Sequence, residues 1–220
     1  MISAFWEMFK PLYAVDALEG YTENEIAYLK ELFGALPQVL EDYYRAAGRT
    51  KEFHCVQDTW MLPEHFRKWR WLREPDYLIL LNENQGVCRA GIRREDLEES
   101  DPPVYQTQDD KNWVLCAPTT SEFLSAALAY EGVFTFEYNP EEFYWLTERE
   151  LELIKSGLIK LPYEVLDWLG MRITLYNNEP DNMVAVMDCG GGDLQMLYGA
   201  ASEASYARLM SVLEGVGEPI

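Results

Sequence analysis

The chain has 220 residues, a formal net charge of -20 and a sequence pI near 4.4. Hydrophobic residues make up 48% and aromatics 14%, which is enough for a core and too much for a disordered chain. The acidity excludes the basic footprint of a nucleic-acid binder and attraction to an anionic membrane, and no apolar run approaches the roughly 20 residues that span a bilayer.

In chain order, residues 1–20 read as an amphipathic helical extension with Phe5, Trp6, Met8, Phe9, Leu12, Tyr13 and Val15, ended or kinked by Pro11. Thr22 and Glu25 form a capping box, in which each side chain satisfies a free backbone amide of the first turn. Ile26, Leu29, Leu32 and Phe33 follow at helical spacing, and Gly34 closes the helix. Pro37 opens a second helix with the stripe Leu40, Tyr43, Tyr44 and Ala47. Residues 63–74 read as a third helix stopped by Pro75, and Arg67, Lys68, Arg70 and Arg73 make it the one clearly basic element.

Residues 77–81 and 87–92 read as the strands of a hairpin that turns through Gly86. Residues 113–116 read as another strand. Thr119 and Glu122 then cap a helix with Phe123, Leu124, Ala127 and Leu128 inward and Gly132 at its C′ position. Leu80, Trp113, Phe123 and Leu128 are the expected core. Beyond lie an aromatic strand at 133–138, a short helix capped by Thr147 and Glu150, and a connector at 158–162. Three strands at 172–176, 183–187 and 194–198 follow, with a glycine turn at 190–192, and then a last helix at 202–214. The expected fold is α+β: one mixed or antiparallel sheet with helices packed mainly on one face. It forms a single domain of residues 1–220, in which 133–220 extend the sheet of a 22–132 core.

Chemistry-bearing patterns are sparse. Cys55, Cys88, Cys116 and Cys189 form no C-x-x-C pair, and His54 and His65 are the only imidazoles, so no metal site is expected. The cysteines read as reduced thiols of a cytoplasmic protein, and the absence of a basic stretch before Glu7 argues against a secretory signal. No G-x-S-x-G elbow, H-E-x-x-H, phosphate-binding loop or dinucleotide fingerprint occurs. His54 and Cys55 form no dyad, because neighbours in a strand project to opposite faces. The expectation is a protein that is not an enzyme and holds no cofactor.

The helix from Thr22 to Gly34, Leu36-Pro37 before the Tyr43-Tyr44 helix, the Gly86-Val87 hairpin, Asp101-Pro102 with Val104, Trp113, and Ser121-Glu122-Phe123-Leu124 occur in a recognisable order. In this the chain resembles the SUKH superfamily of bacterial immunity proteins, which has fungal cell-wall-synthesis regulators among its relatives. Members often carry a tryptophan shortly after the Gly-Val of the hairpin, where this chain has Arg89-Ala90. The resemblance implies a non-catalytic protein that binds and neutralises a cognate toxin domain, often a nuclease or deaminase. A regulatory scaffold, or a small-molecule binder using the sheet concavity, is the alternative.

A nuclease or deaminase binds a polyanion and presents a basic groove. The complementary feature here is the acidic loop with Glu95, Asp96, Glu98, Glu99 and Asp101, continued by Asp109 and Asp110. These carboxylates are the expected partner-binding residues, steering a basic toxin toward an aromatic anchor at Tyr105. The competing expectation is that the loop pairs internally with Arg67, Lys68, Arg70 and Arg73.

Overall fold

The computed structural model describes residues 5–54 and 56–220. They divide into two compact units, one holding the chain up to Glu7 together with Asp16–Leu124, the other Met8–Val15 together with Ser125–Ile220. Among the described residues no helix is long and apolar enough to cross a membrane.

In the first unit, α1 (Glu23–Phe33) begins as its capping box dictates. The amide and hydroxyl of Thr22 donate to the Glu25 carboxylate at 2.9 and 2.7 Å. It ends at Gly34, whose φ of 86° suits a residue without a side chain. α2 (Gln38–Ala46) buries Leu40, Tyr43 and Tyr44, with Tyr43 edge-on to Trp6 at 5.0 Å. α3 (Pro63–Lys68) is shorter than expected. Trp69 leaves the helical region at φ -107°, ψ 107° and stacks on His65 at 4.4 Å, and a 3-10 turn, Arg70–Arg73, follows.

The sheet of this unit is antiparallel in the order β1 (Thr59–Trp60), β2 (Tyr77–Asn82), β3 (Arg89–Arg93), β4 (Val104–Thr107), β5 (Val114–Ala117). A register shift between Ile79 and Leu81 marks a bulge in β2. The backbone of β2 comes so close to Gly91 that a Cβ there would lie 2.7 Å from the Leu78 carbonyl oxygen. Leu78, Leu80, Ile92, Val104 and Cys116 are all at most 2% exposed.

Helix α4 (Thr120–Val133) starts where the Thr119 hydroxyl accepts the Glu122 amide, and Thr120 donates its hydroxyl to the Pro102 carbonyl. Residues from Phe123 to Val133 are buried, so α4 is apolar on every side rather than along a stripe. Gly132, expected at its C′ position, lies inside it. A Cβ there would meet Leu12 at 2.9 Å, so this glycine allows close packing rather than a left-handed turn. Because the helix persists to Val133, the strand expected at 133–138 does not form, and only an isolated bridge joins Tyr138 to Ala200.

The second unit contributes β6 (Tyr144–Leu146), α5 (Glu148–Gly157), β7 (Ile159–Trp168), β8 (Met171–Asn177), β9 (Asn182–Asp188), β10 (Leu194–Ala200), α6 (Glu203–Leu213) and β11 (Glu218–Pro219). Their antiparallel sheet runs β11-β6-β10-β9-β8-β7. Thr147 and Glu150 close the capping box of α5, and residues 190–192, all at positive φ, make the β9–β10 turn. Leu146, Ile154, Val184, Met196, Leu209 and Leu213 form one apolar cluster between helices and sheet. The segment expected as a connector at 158–162 is the first half of β7. Pro162 is compatible with it because β7 is an edge strand, with no neighbour on one side to receive its missing N–H.

The class is α+β, as expected. The strands form two sheets rather than one, and residues 133–220 do not extend the first. β7 to β10 pair with their sequence neighbours through hairpins, so their ladders close within the unit.

Candidate functional site

The face of the first sheet that carries Tyr77, Arg89, Arg93 and Tyr105 holds the most distinctive chemistry of this unit. Register pairs Tyr77 with Arg93, Gly91 with Tyr105, Tyr105 with Leu115, and Arg89 with Thr107, and paired residues share a face. Tyr77, Arg89, Arg93, Tyr105 and Trp113 are half-buried here, and Leu115 is exposed. Trp113, expected in the core, instead lies flat on the Tyr77 ring, with centroids 3.6 Å apart and planes 6° apart. Leu80, Phe123 and Leu128 are buried as expected.

Each arginine is fixed between a ring and a carboxylate. The Arg89 guanidinium sits 5.2 Å from the Trp71 ring and 3.2 Å from Asp110 Oδ1. That of Arg93 lies 4.7 Å from the Tyr105 ring and 3.0 Å from Glu95 Oε1. Hydrogen bonding to Tyr77 and then to Glu95 raises the Arg93 pKa, so the cation is permanent. A cavity of about 610 Å³ opens among Trp71, Glu74, Tyr77, Arg89, Lys111 and Trp113. Planar rings and guanidinium groups held in one arrangement lose little freedom when a partner settles on them.

The acidic residues expected to bind a partner separate into distinct roles. Glu95, Glu98 and Glu99 are exposed and Asp96 is half-buried, in and after a 3-10 turn that follows β3. Asp101 accepts the amide and hydroxyl of Ser121 at 2.8 and 2.6 Å, so it holds the first turn of α4. Asp109 accepts the backbone amides of Asn112 and Lys111, which hold its carboxyl down to about 2 and organise the turn before β5. Asp110, at φ 61°, belongs to the aromatic face through Arg89. Tyr105 does too.

The basic residues of α3 and its following turn engage locally. Arg67 lies over Tyr28, Lys68 over Trp69, and Arg70 beside Glu74, while Arg73 donates to the carbonyls of Phe66 and Arg67. Trp71, Tyr77, Arg89 and Arg93 were not among the expected site residues. For Arg89 and Arg93 the signal was their even spacing along β3, which puts both on one face of a strand; Trp71, in the 3-10 turn, and Tyr77, the first residue of β2, carried none.

Elsewhere in the unit, His54 Nε2 lies 3.0 Å from the Tyr43 hydroxyl, and burial, with a smaller contribution from His65, pushes its pKa down to about 4. Cys55, weighed with it as a dyad, lies outside the described residues. Cys88 and Cys116 are buried, and the Cys88 thiol donates to Gln106 Oε1 at 3.0 Å. Among the described residues no group of three or more His, Cys, Asp or Glu side chains is placed to hold a metal ion. No protein-family model, curated protein or solved structure matches this chain.

Proposed function

We propose that this chain is a non-catalytic immunity protein of the SUKH kind, acting in the cytoplasm by capturing a basic toxin domain on the outer face of its first sheet. The observation that supports this reading is the composition of that face. Tryptophan, tyrosine and arginine are the residues that dominate binding energy where two proteins meet, and here they lie together, half-exposed and pre-oriented. Around them, Glu95, Glu98, Glu99 and Asp110 supply a negative rim that accelerates the approach of a cationic partner. The chemistry asked of the protein is occlusion: the rings bury against the toxin and the carboxylates meet its substrate groove.

The direct test is co-expression with the polypeptide encoded immediately upstream, reading survival and co-purification. Protection that is lost on replacing Tyr77 and Trp113 together by alanine, with the fold intact by circular dichroism, supports the reading. Full protection by that double variant would remove the aromatic face as the binding surface.

A further inference from the structure

The second unit contains a cavity of about 370 Å³ on the β7 and β8 edge of its sheet, away from the cluster beneath α5 and α6. Phe9, Leu12 and Met183, each at most 3% exposed, line its closed side, and Met8, Ile159 and Leu161 line the rest. One hydroxyl-bearing side chain belongs to this lining. Tyr163 is only 7% exposed, and its hydroxyl makes no hydrogen bond among the described residues. Burial alone pushes its pKa up to about 12, so at neutral pH the phenol keeps a proton to donate. The hydroxyl is not fully buried, so water reaches it in the open cavity, and a bound acceptor takes the place of that water.

The rim restricts what can supply that acceptor. Among the described residues Glu179 is the only charged one in the lining, and it is paired with Arg208 at 2.9 Å. The side chains of Asn178 and Asn182 bond to each other at 2.7 Å, which leaves Asn177 as the uncommitted amide at the mouth. Among the described residues no cation lines the cavity, and the Arg208 guanidinium that reaches Glu179 is committed to it, so a carboxylate or phosphate finds no free positive charge in the lining. The volume lies near the lower end of ligand pockets and suits on the order of 10–15 non-hydrogen atoms. The two methionines give the walls adaptability.

We propose that this cavity is a binding site for a small, uncharged, mainly apolar molecule whose carbonyl or ether oxygen accepts the hydrogen bond offered by Tyr163. Apolar bulk fills the space between the Met8–Val15 segment and β7, and the single acceptor sets the ligand's orientation. The site is independent of the toxin-binding reading.

The test is a protein-observed NMR titration of the full chain with two probes, 4-phenyl-2-butanone and butylbenzene, which share their apolar bulk and differ in the carbonyl. The expected result is saturable shifts at the amides of residues 159–163 and 177–183, with the ketone bound about tenfold tighter than the hydrocarbon. Tyr163→Phe abolishes that preference while the thermal midpoint holds, and Leu161→Trp, which fills the space, abolishes binding of both. The proposal is overturned if neither probe shifts these amides, if the shifts map elsewhere, or if Tyr163→Phe leaves the ketone preference intact.

Discussion

Both units hold a pair of aromatic rings nearly parallel, and they use the pair differently. In the second unit Tyr198 and Tyr206 lie 13° from parallel between β10 and α6, beside Met196, Leu209 and Leu213, and Tyr198 is 4% exposed. In the first unit Tyr77 and Trp113 stack on the sheet face that carries Arg89 and Arg93, half-exposed and flanked by guanidinium groups. The first arrangement converts apolar area into stability. The second leaves part of that area in water and holds the rings in a fixed pose, a composition found where proteins recognise one another.

The contrast is tested most severely inside the second unit. Leu209→Ala, at 0% exposure within the α6 cluster, should cost about 2–5 kcal/mol by urea denaturation. A loss below about 1 kcal/mol would mean that the cluster is not what holds this unit together.

Acid should act on the first unit through His54. Its folded pKa of about 4 lies below the ordinary 6.5, so the folded state resists protonation and the unfolded chain takes up the proton first. Stability from this residue is complete above pH 6.5, falls as pH drops through that value, and levels off near 4. The loss is on the order of 3–4 kcal/mol, at about 1.4 kcal/mol per pH unit between 6.5 and about 4. His54→Gln should flatten the pH 4–6.5 portion of the stability curve; an unchanged slope would exclude His54 as its source.

Trp113→Ala sharpens the comparison directly. A core tryptophan would cost about 3–5 kcal/mol, whereas a half-exposed ring stacked on one neighbour should cost about 1–2 kcal/mol. Asp101→Ala should cost about 1 kcal/mol, the usual worth of a helix cap, in denaturant titration. Smallest is the combined Glu95→Lys, Glu98→Lys and Glu99→Lys variant. It should stay within about 0.5 kcal/mol of the parent in stability while associating with a basic partner more slowly and with weaker salt dependence.

Local signals in the sequence carried well. Thr22 with Glu25, Thr147 with Glu150, Gly34 and the 190–192 turn each act through neighbours a few residues away, and each appears in the structure where the sequence places it. Non-local packing was less legible. Residues 133–138 have strand composition, but α4 runs into them because its apolar surface continues on all sides, and a short apolar run looks alike in either state. Pro162 resembles a breaker unless β7 is known to be an edge. The site divided in the same way. The acidic residues were visible, but nothing local shows that Asp101 and Asp109 are engaged in holding backbone, or that Trp113 faces away from the core.

The edge position of β5 has a consequence for handling the protein at high concentration. Its outer side presents backbone N–H and C=O groups with no ladder partner among the described residues, beside exposed Val114 and Leu115. A second chain could zip onto that border. Two features oppose it: the strand is only four residues long, and Asp109, Asp110 and Lys111 place charge at its entrance, where an incoming strand would have to align. Neutralising those three charges would therefore bring self-association and loss of solubility along with loosening of the turn that Asp109 holds.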